Sequence, residues 1–168
     1  MLRDKSLIPL SRQHQHALAL CVRIDRAQPI PDRDLEAWQA EILQQFQQEI
    51  KFHFDAEERV VFPVARSFPE LSTLVEELMA EHGSLRTQFE SAETNRFSAK
   101  ELPMFAAKLS AHIRKEERRL FERLQQLMTA EEMTAMGVAL EEALEQALTS
   151  CVLPSEATRL RRQENSTK

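Results

Sequence analysis

One ten-residue pattern occurs twice in this chain and limits what it can fold into. The first copy is His53-Phe54-Asp55-Ala56-Glu57-Glu58-Arg59-Val60-Val61-Phe62, the second His112-Ile113-Arg114-Lys115-Glu116-Glu117-Arg118-Arg119-Leu120-Phe121. Both read H-x-x-x-E-E-R-x-[VL]-F. On a helix, residues i and i+4 differ by about 40° in azimuth and about 6 Å in rise. His53 with Glu57, and His112 with Glu116, therefore each point an imidazole and a carboxylate the same way, a pair able to hold a cation. Two copies imply two cations or one dinuclear site.

The rest of the chain supplies helices to carry such pairs. Gly is limited to 2 of 168 residues, Tyr is absent, and Ala, Leu, Glu, Gln and Arg abound, which favours helix throughout. Helix 1 is expected from Pro9 or a Ser11 cap to about Ala27, with Leu7, Leu10, His14, Ala17, Cys21 and Ile24 on one seam. His16 lies about 200° from His14, among Arg12, Gln13 and Arg23. After Pro29-Ile30-Pro31, Asp32 or Asp34 is expected to cap a long helix 2 reaching about Arg66. Its seam runs through Ile42, Phe46, Ile50, His53, Glu57, Val60 or Val61, and Val64, with Pro63 loosening the last turn. Ser67-Phe68-Pro69 opens helix 3, with Leu71, Leu74, Leu78, His82, Leu85 and Phe89 facing inward. A polar turn at Thr94-Asn95-Arg96 leads into helix 4, opened either by a capping box of Ser98 with Glu101 or, given Pro103, near Leu102; its seam is Phe105, Leu109, His112, Glu116, Leu120 and Leu124. Thr129 to Glu132 forms another capping box, opening an amphipathic helix 5 over about 130–151 with Met133, Met136, Leu140, Leu144 and Leu148 on one face. The expected organisation is one helical domain over 1–153 and a flexible polar tail over 154–168.

Four helices thus place a histidine in an apolar seam, and two add a glutamate one turn later. A bundle core is otherwise built from Leu, Ile, Val, Phe and Ala, and a buried ionised carboxylate costs several kcal/mol, in order of magnitude, unless paired or metal-bound. A metal-free polar network would satisfy some of those groups but would not require the repetition. Four imidazoles and two carboxylates exceed the needs of one tetrahedral structural zinc, and no thiolate joins them. Calcium and magnesium prefer all-oxygen shells. The mixed set suits iron, with manganese or a zinc pair as further choices, and a di-iron centre fits it best.

Taken together, a helix with His14 after a polar residue, the HxxxEE of His53 to Glu58, a second helix with Glu81-His82, and the HxxxEE of His112 to Glu117 resemble the hemerythrin-like HHE cation-binding domain. The resemblance covers about residues 5–128. It implies an all-α, up-down-up-down four-helix bundle with an additional C-terminal helix, in which His14, His53, Glu57, His82, His112 and Glu116 are metal ligands of a non-haem di-iron site. The oxygen-carrying members add a second histidine one turn after the helix 3 ligand. Arg86 stands there in this chain, which points away from pure reversible oxygen storage.

The expected function is that of a non-haem di-iron binding protein that senses or handles dioxygen, nitric oxide, peroxide or iron, more a metal-binding sensor than a catalyst. The alternatives are a helical interaction module that is metal-free or zinc-bound, and a di-iron oxidase or peroxidase. A net charge of −5 gives no electrostatic case for nucleic acid or an anionic membrane. Neither a signal peptide nor a membrane span is expected at the N-terminus, so the expected compartment is cytoplasmic. Helix 5 is expected to act as a lid, with a homodimer or protein-partner surface as its other use. Glu58 and Glu117, about 140° from their motif histidines, are expected to be solvated or salt-bridged, with a turn toward the metals or a place at the helix interface as the other readings. Cys21 is expected to be packing.

Overall fold

The computed structural model describes residues 2–94 and 96–151, with side chains as far as Glu145. All of the regular structure among these residues is helical. Helix α1 spans Ile8–Arg26, α2 residues 35–66, α3 Ser72–Glu93, α4 residues 101–127 and α5 Ala130–Cys151. The fold is an all-α bundle of the up-down-up-down kind with the fifth helix added. Within it, α1 packs most closely on α4 and α2 on α3. No helix among the described residues is long and apolar enough to cross a membrane.

Helix α1 begins three residues before the expected Ser11 cap. Asp4 accepts from the amide of Ser6 and starts a 3-10 turn over Lys5–Leu7, and Pro9 then sits in the first turn, where its missing N–H costs no hydrogen bond. Ser11 instead donates its hydroxyl to Glu117 at 2.7 Å. Neither Asp32 nor Asp34 caps α2 with its side chain; the two bound a 3-10 turn that feeds the helix. Of the two boxes expected at the other helix starts, that at Thr129 forms in full and that at Ser98 by half, the Glu101 amide donating to the Ser98 carbonyl and not to its hydroxyl. Glu101 accepts from the amide of Ser98 at 2.9 Å, and Thr129 and Glu132 accept reciprocally from each other's amides at 3.2 and 2.8 Å.

The inward seams of α1, α3 and α4 are buried as expected. In α2, Phe46 is only half-buried; past Glu57 the seam takes Val61, one of its two expected alternatives, and then departs, with Ala65 buried where Val64, half-buried, was expected. The cause is a π-helical turn over Glu57–Val61, which inserts extra backbone and shifts the inward face by one residue. The apolar core falls into two blocks. One gathers Leu10, Phe62, Leu78 and Leu120 with Met133, Met136 and Leu140 of α5; the other gathers Ala17, Phe54, Leu85, Phe105 and Ile113. Between them lies a polar layer.

Helix α5 closes one end of the bundle, as a lid should, by packing on the Lys5–Leu7 turn and the π turn of α2. Gly137 makes that approach possible, since a Cβ there would lie 2.6 Å from Ser6 Oγ and 2.7 Å from Ser6 Cβ. Gly137→Ala gains helix propensity of about 1 kcal/mol yet overpacks this contact by about 1–3 kcal/mol. The expected result is a net lowered urea midpoint, restored when Ser6→Gly is added. The stretch over 154–168 lies outside the described residues.

Candidate metal centre

The polar layer is made by the six side chains singled out in the sequence. His14, His53, Glu57, His82, His112 and Glu116 are all buried, none more than 3% exposed. His14 comes from α1, His53 and Glu57 from α2, His82 from α3, and His112 and Glu116 from α4. His16 points elsewhere, exposed and hydrogen-bonded to Glu49 at 2.9 Å. His14 and His53 stand side by side with ring centroids 4.5 Å apart, and His82 and His112 likewise at 4.8 Å.

The carboxylates lie between the two histidine pairs. Glu116 places Oε2 3.1 Å from His14 Nε2, and Oε1 3.1 Å from His112 Nε2 and 3.5 Å from His82 Nε2. Glu57 Oε2 is 3.3 Å from His53 Nε2 and 3.4 Å from His82 Nε2. These approaches are close, but their angles are wrong for hydrogen bonds. The Nε2 atoms of all four histidines and both oxygens of both glutamates are buried without a hydrogen-bond partner among the described residues. Two overlapping ligand sets result, His14, His53, Glu57 and Glu116 on one side and His82, His112 and Glu116 on the other.

Each ring is fixed through its opposite nitrogen. Nδ1 of His14 meets Glu117 at 2.7 Å, and those of His53, His82 and His112 meet Gln13, Glu58 and Glu81 at 2.8 Å each. An Nδ1–H donated to these oxygens leaves every Nε2 lone pair facing inward, the arrangement by which metal-binding histidines are oriented. Glu58 and Glu117 are therefore positioning groups at helix interfaces, a role beyond the salt-bridged one expected of them. Each also meets a cation: Arg86 donates to Glu58 at 2.6 Å, and Arg3 donates to Glu117. Lys115 does the same for Glu81.

The sequence contains a signal for this geometry. His53, Glu57, Val61 and Ala65, and again His112, Glu116, Leu120 and Leu124, run in unbroken steps of four. In a regular α-helix each such step drifts about 40°, so four residues would spread over about 120°. Only a wider turn keeps them facing the core, and a π turn begins at the inward glutamate in both copies, over Glu57–Val61 and Glu116–Phe121. Pro63 follows the first and nothing like it follows the second, so proline is not the common cause.

The electrostatics are those of histidines and carboxylates buried against one another. Burial alone would lower the His14 and His82 values, but the carboxylates around them prevail and lift them to about 9 and about 11. Burial would raise Glu57 and Glu116; the facing histidines, against Glu116's own charge in the case of Glu57, hold both below the ordinary range. Glu58 and Glu117, despite partial burial, are held at about 2 by the histidine each one orients and the neighbouring donors. Arg86 does not reach the cluster: it pairs with Asp55 and Glu58 and lies 5.4 Å over the Phe54 ring. Cys21 is buried in the second apolar block, as packing.

A helical bundle whose mid-layer is a buried ring of partnerless imidazole nitrogens and carboxylate oxygens is a metal-binding protein in design. The hemerythrin HHE cation-binding domain family matches residues 9–124. The chain belongs to this family. No curated protein and no solved structure matches it.

Proposed function

We propose that His14, His53, Glu57, His82, His112 and Glu116 hold a pair of iron ions, and that the protein uses them to sense or handle a small oxidant such as dioxygen, nitric oxide or peroxide. The observation that carries this reading is the set of eight buried atoms, four imidazole nitrogens and four carboxylate oxygens, that lack hydrogen-bond partners and face one another. Burying so many strong acceptors without hydrogen bonds, offset only by imidazole–carboxylate ion pairs, costs more than a marginally stable fold can tolerate without cations. Imidazole with carboxylate and no thiolate is a donor set that iron accepts readily. When bound, such a pair supplies redox change and exchangeable coordination positions for small ligands.

The chain's own residues supply the rest. A cavity of about 10 Å³, lined by His14, His53 and Glu116 together with Ala17, Ile50 and Phe54, has room for one water-sized molecule beside the His14 and His53 side. Its walls are mostly apolar, which favours small uncharged guests over ions. Phe54 stacks on His82 at 3.8 Å and Phe121 on His14 at 5.6 Å, shielding the rings from water.

The test is metal analysis with an optical spectrum after expression in iron-supplemented medium. Iron near two per chain, with ligand-to-metal charge-transfer absorption, is expected; manganese or zinc would change the metal but not the site. A colourless, metal-free protein would overturn the reading. Within the same assay, His14→Ala should lose metal and perturb the spectrum, while His16→Ala should leave both nearly unchanged.

A further inference from the structure

We infer that the two metal positions are unequal, and that Gln13 makes the His14 and His53 position the weaker and more readily exchanged of the two. The inference rests on the metal-binding reading above and adds to it a division of labour within the site.

The bundle has an internal symmetry. Helices α1 and α2 repeat as α3 and α4, so that Gln13-His14 corresponds to Glu81-His82, and His53-Glu57-Glu58 to His112-Glu116-Glu117. The hydrogen bonds obey the same correspondence. Glu58 serves His82 and Glu117 serves His14, each across the repeat; Gln13 serves His53 and Glu81 serves His112, each within it. All four contacts are 2.7–2.8 Å long, so geometry does not distinguish them. Charge does. Three of the acceptors are carboxylates and Gln13 is a neutral amide.

A histidine that donates Nδ1–H to a carboxylate has a more electron-rich Nε2 than one that donates to an amide, because the charged acceptor draws the proton away more strongly. Arg86, Lys115 and Arg3 beyond the glutamates moderate this effect but leave a charged oxygen in direct contact with each ring. The His82 and His112 position therefore has two strengthened imidazoles and the His14 and His53 position one, while Glu57, with Oε2 3.3 Å from His53 Nε2 and 3.4 Å from His82 Nε2, faces both pairs and does not offset the difference. The weaker position is also the one beside the cavity, which Gln13 itself lines. The ion with room for an incoming ligand is thus the one held less firmly.

Anaerobic titration of the apoprotein with Co²⁺, followed by its visible d–d bands and by calorimetry, tests this. Wild type should bind in two resolved steps. Loss or gain of such an outer partner changes metal affinity by about 10–100-fold. Gln13→Glu should tighten the weaker step by about tenfold and leave the stronger unchanged; Glu81→Gln should weaken the stronger step by a similar factor. In the His112→Ala background the surviving ion should respond to Gln13→Glu, and in the His53→Ala background to Glu81→Gln, which a merely structural role would not produce. Two equal steps in wild type, or a Gln13→Glu protein whose weaker step does not tighten, would overturn the inference while the metal-binding reading stands. Failure to bind any Co²⁺ would overturn both.

Discussion

Removing the metal lowers the melting temperature by roughly 8–16 °C for each ion held at a thousandfold excess over its dissociation constant. The figure follows from a binding contribution of about 4 kcal/mol at that excess and from about 2–4 °C per kcal/mol for a domain of this size. The apoprotein should also acquire a pH dependence that the loaded protein lacks. His14 rises to about 9 in the fold from an ordinary value of 6.5, so its imidazolium adds stability that is fully present below the ordinary value and lost as pH climbs through the folded one. His82 extends the same trend to about 11. Melting of chelator-treated protein between pH 7 and 10 should therefore show a falling midpoint, whereas bound cations hold the same nitrogens deprotonated throughout. An unchanged midpoint after verified metal removal would count against the site.

Glu116→Ala leaves the protein with almost no bound metal. Its two oxygens address both histidine pairs, at 3.1 Å to His14 and 3.1 Å to His112, so one truncation removes a donor from both positions. The loss should exceed the 10–100-fold typical of removing an outer partner. Glu57→Ala, His53→Ala and His112→Ala should each reduce metal as well. Glu117→Ala and Glu58→Ala should fall within the outer-partner range, because they act through His14 and His82 rather than on the ion. Metal content after dialysis against micromolar iron, with circular dichroism to confirm the helices, ranks the series. If the Glu117 and Glu58 variants lost more metal than Glu116→Ala and Glu57→Ala, the ligand set would need reassignment.

The seams of α1, α3 and α4 were readable because apolar residues at helical spacing have one way to leave water. His14 against His16 was decided by the same rule, since turning His16 inward would expose Leu10 and Ile24 at about 1.5–3 kcal/mol each. The position of Ala65 was not readable from that rule: α2 changes pitch at Glu57 and offers apolar Val60 and Val64 beside Val61 and Ala65, whereas in α4, which changes pitch at Glu116, Arg119 and Arg123 leave Leu120 and Leu124 to turn inward. Nor was the role of Glu58 and Glu117. Helix geometry alone places them off the face that carries His53, Glu57, His112 and Glu116, but what lies on the side they do face depends on how the helices pack. Gln13 and Glu81 were visible only as polar neighbours of histidines. Their partners, His53 and His112, sit on other helices, and no local pattern points to them.

The exchange of glutamates between the repeated helix pairs makes the centre a strain gauge for the bundle. Sliding the pair α1 and α2 by an ångström against α3 and α4 would stretch the His14–Glu117 and His82–Glu58 bonds while leaving His53–Gln13 and His112–Glu81 intact. One histidine at each metal position would then loosen, and both ions would register the displacement together. The linkage runs in reverse as well: a change in the size or charge of ions held there would tug on α1 and α3, the helices that bring a histidine but no carboxylate, and be felt at the seams between the two halves.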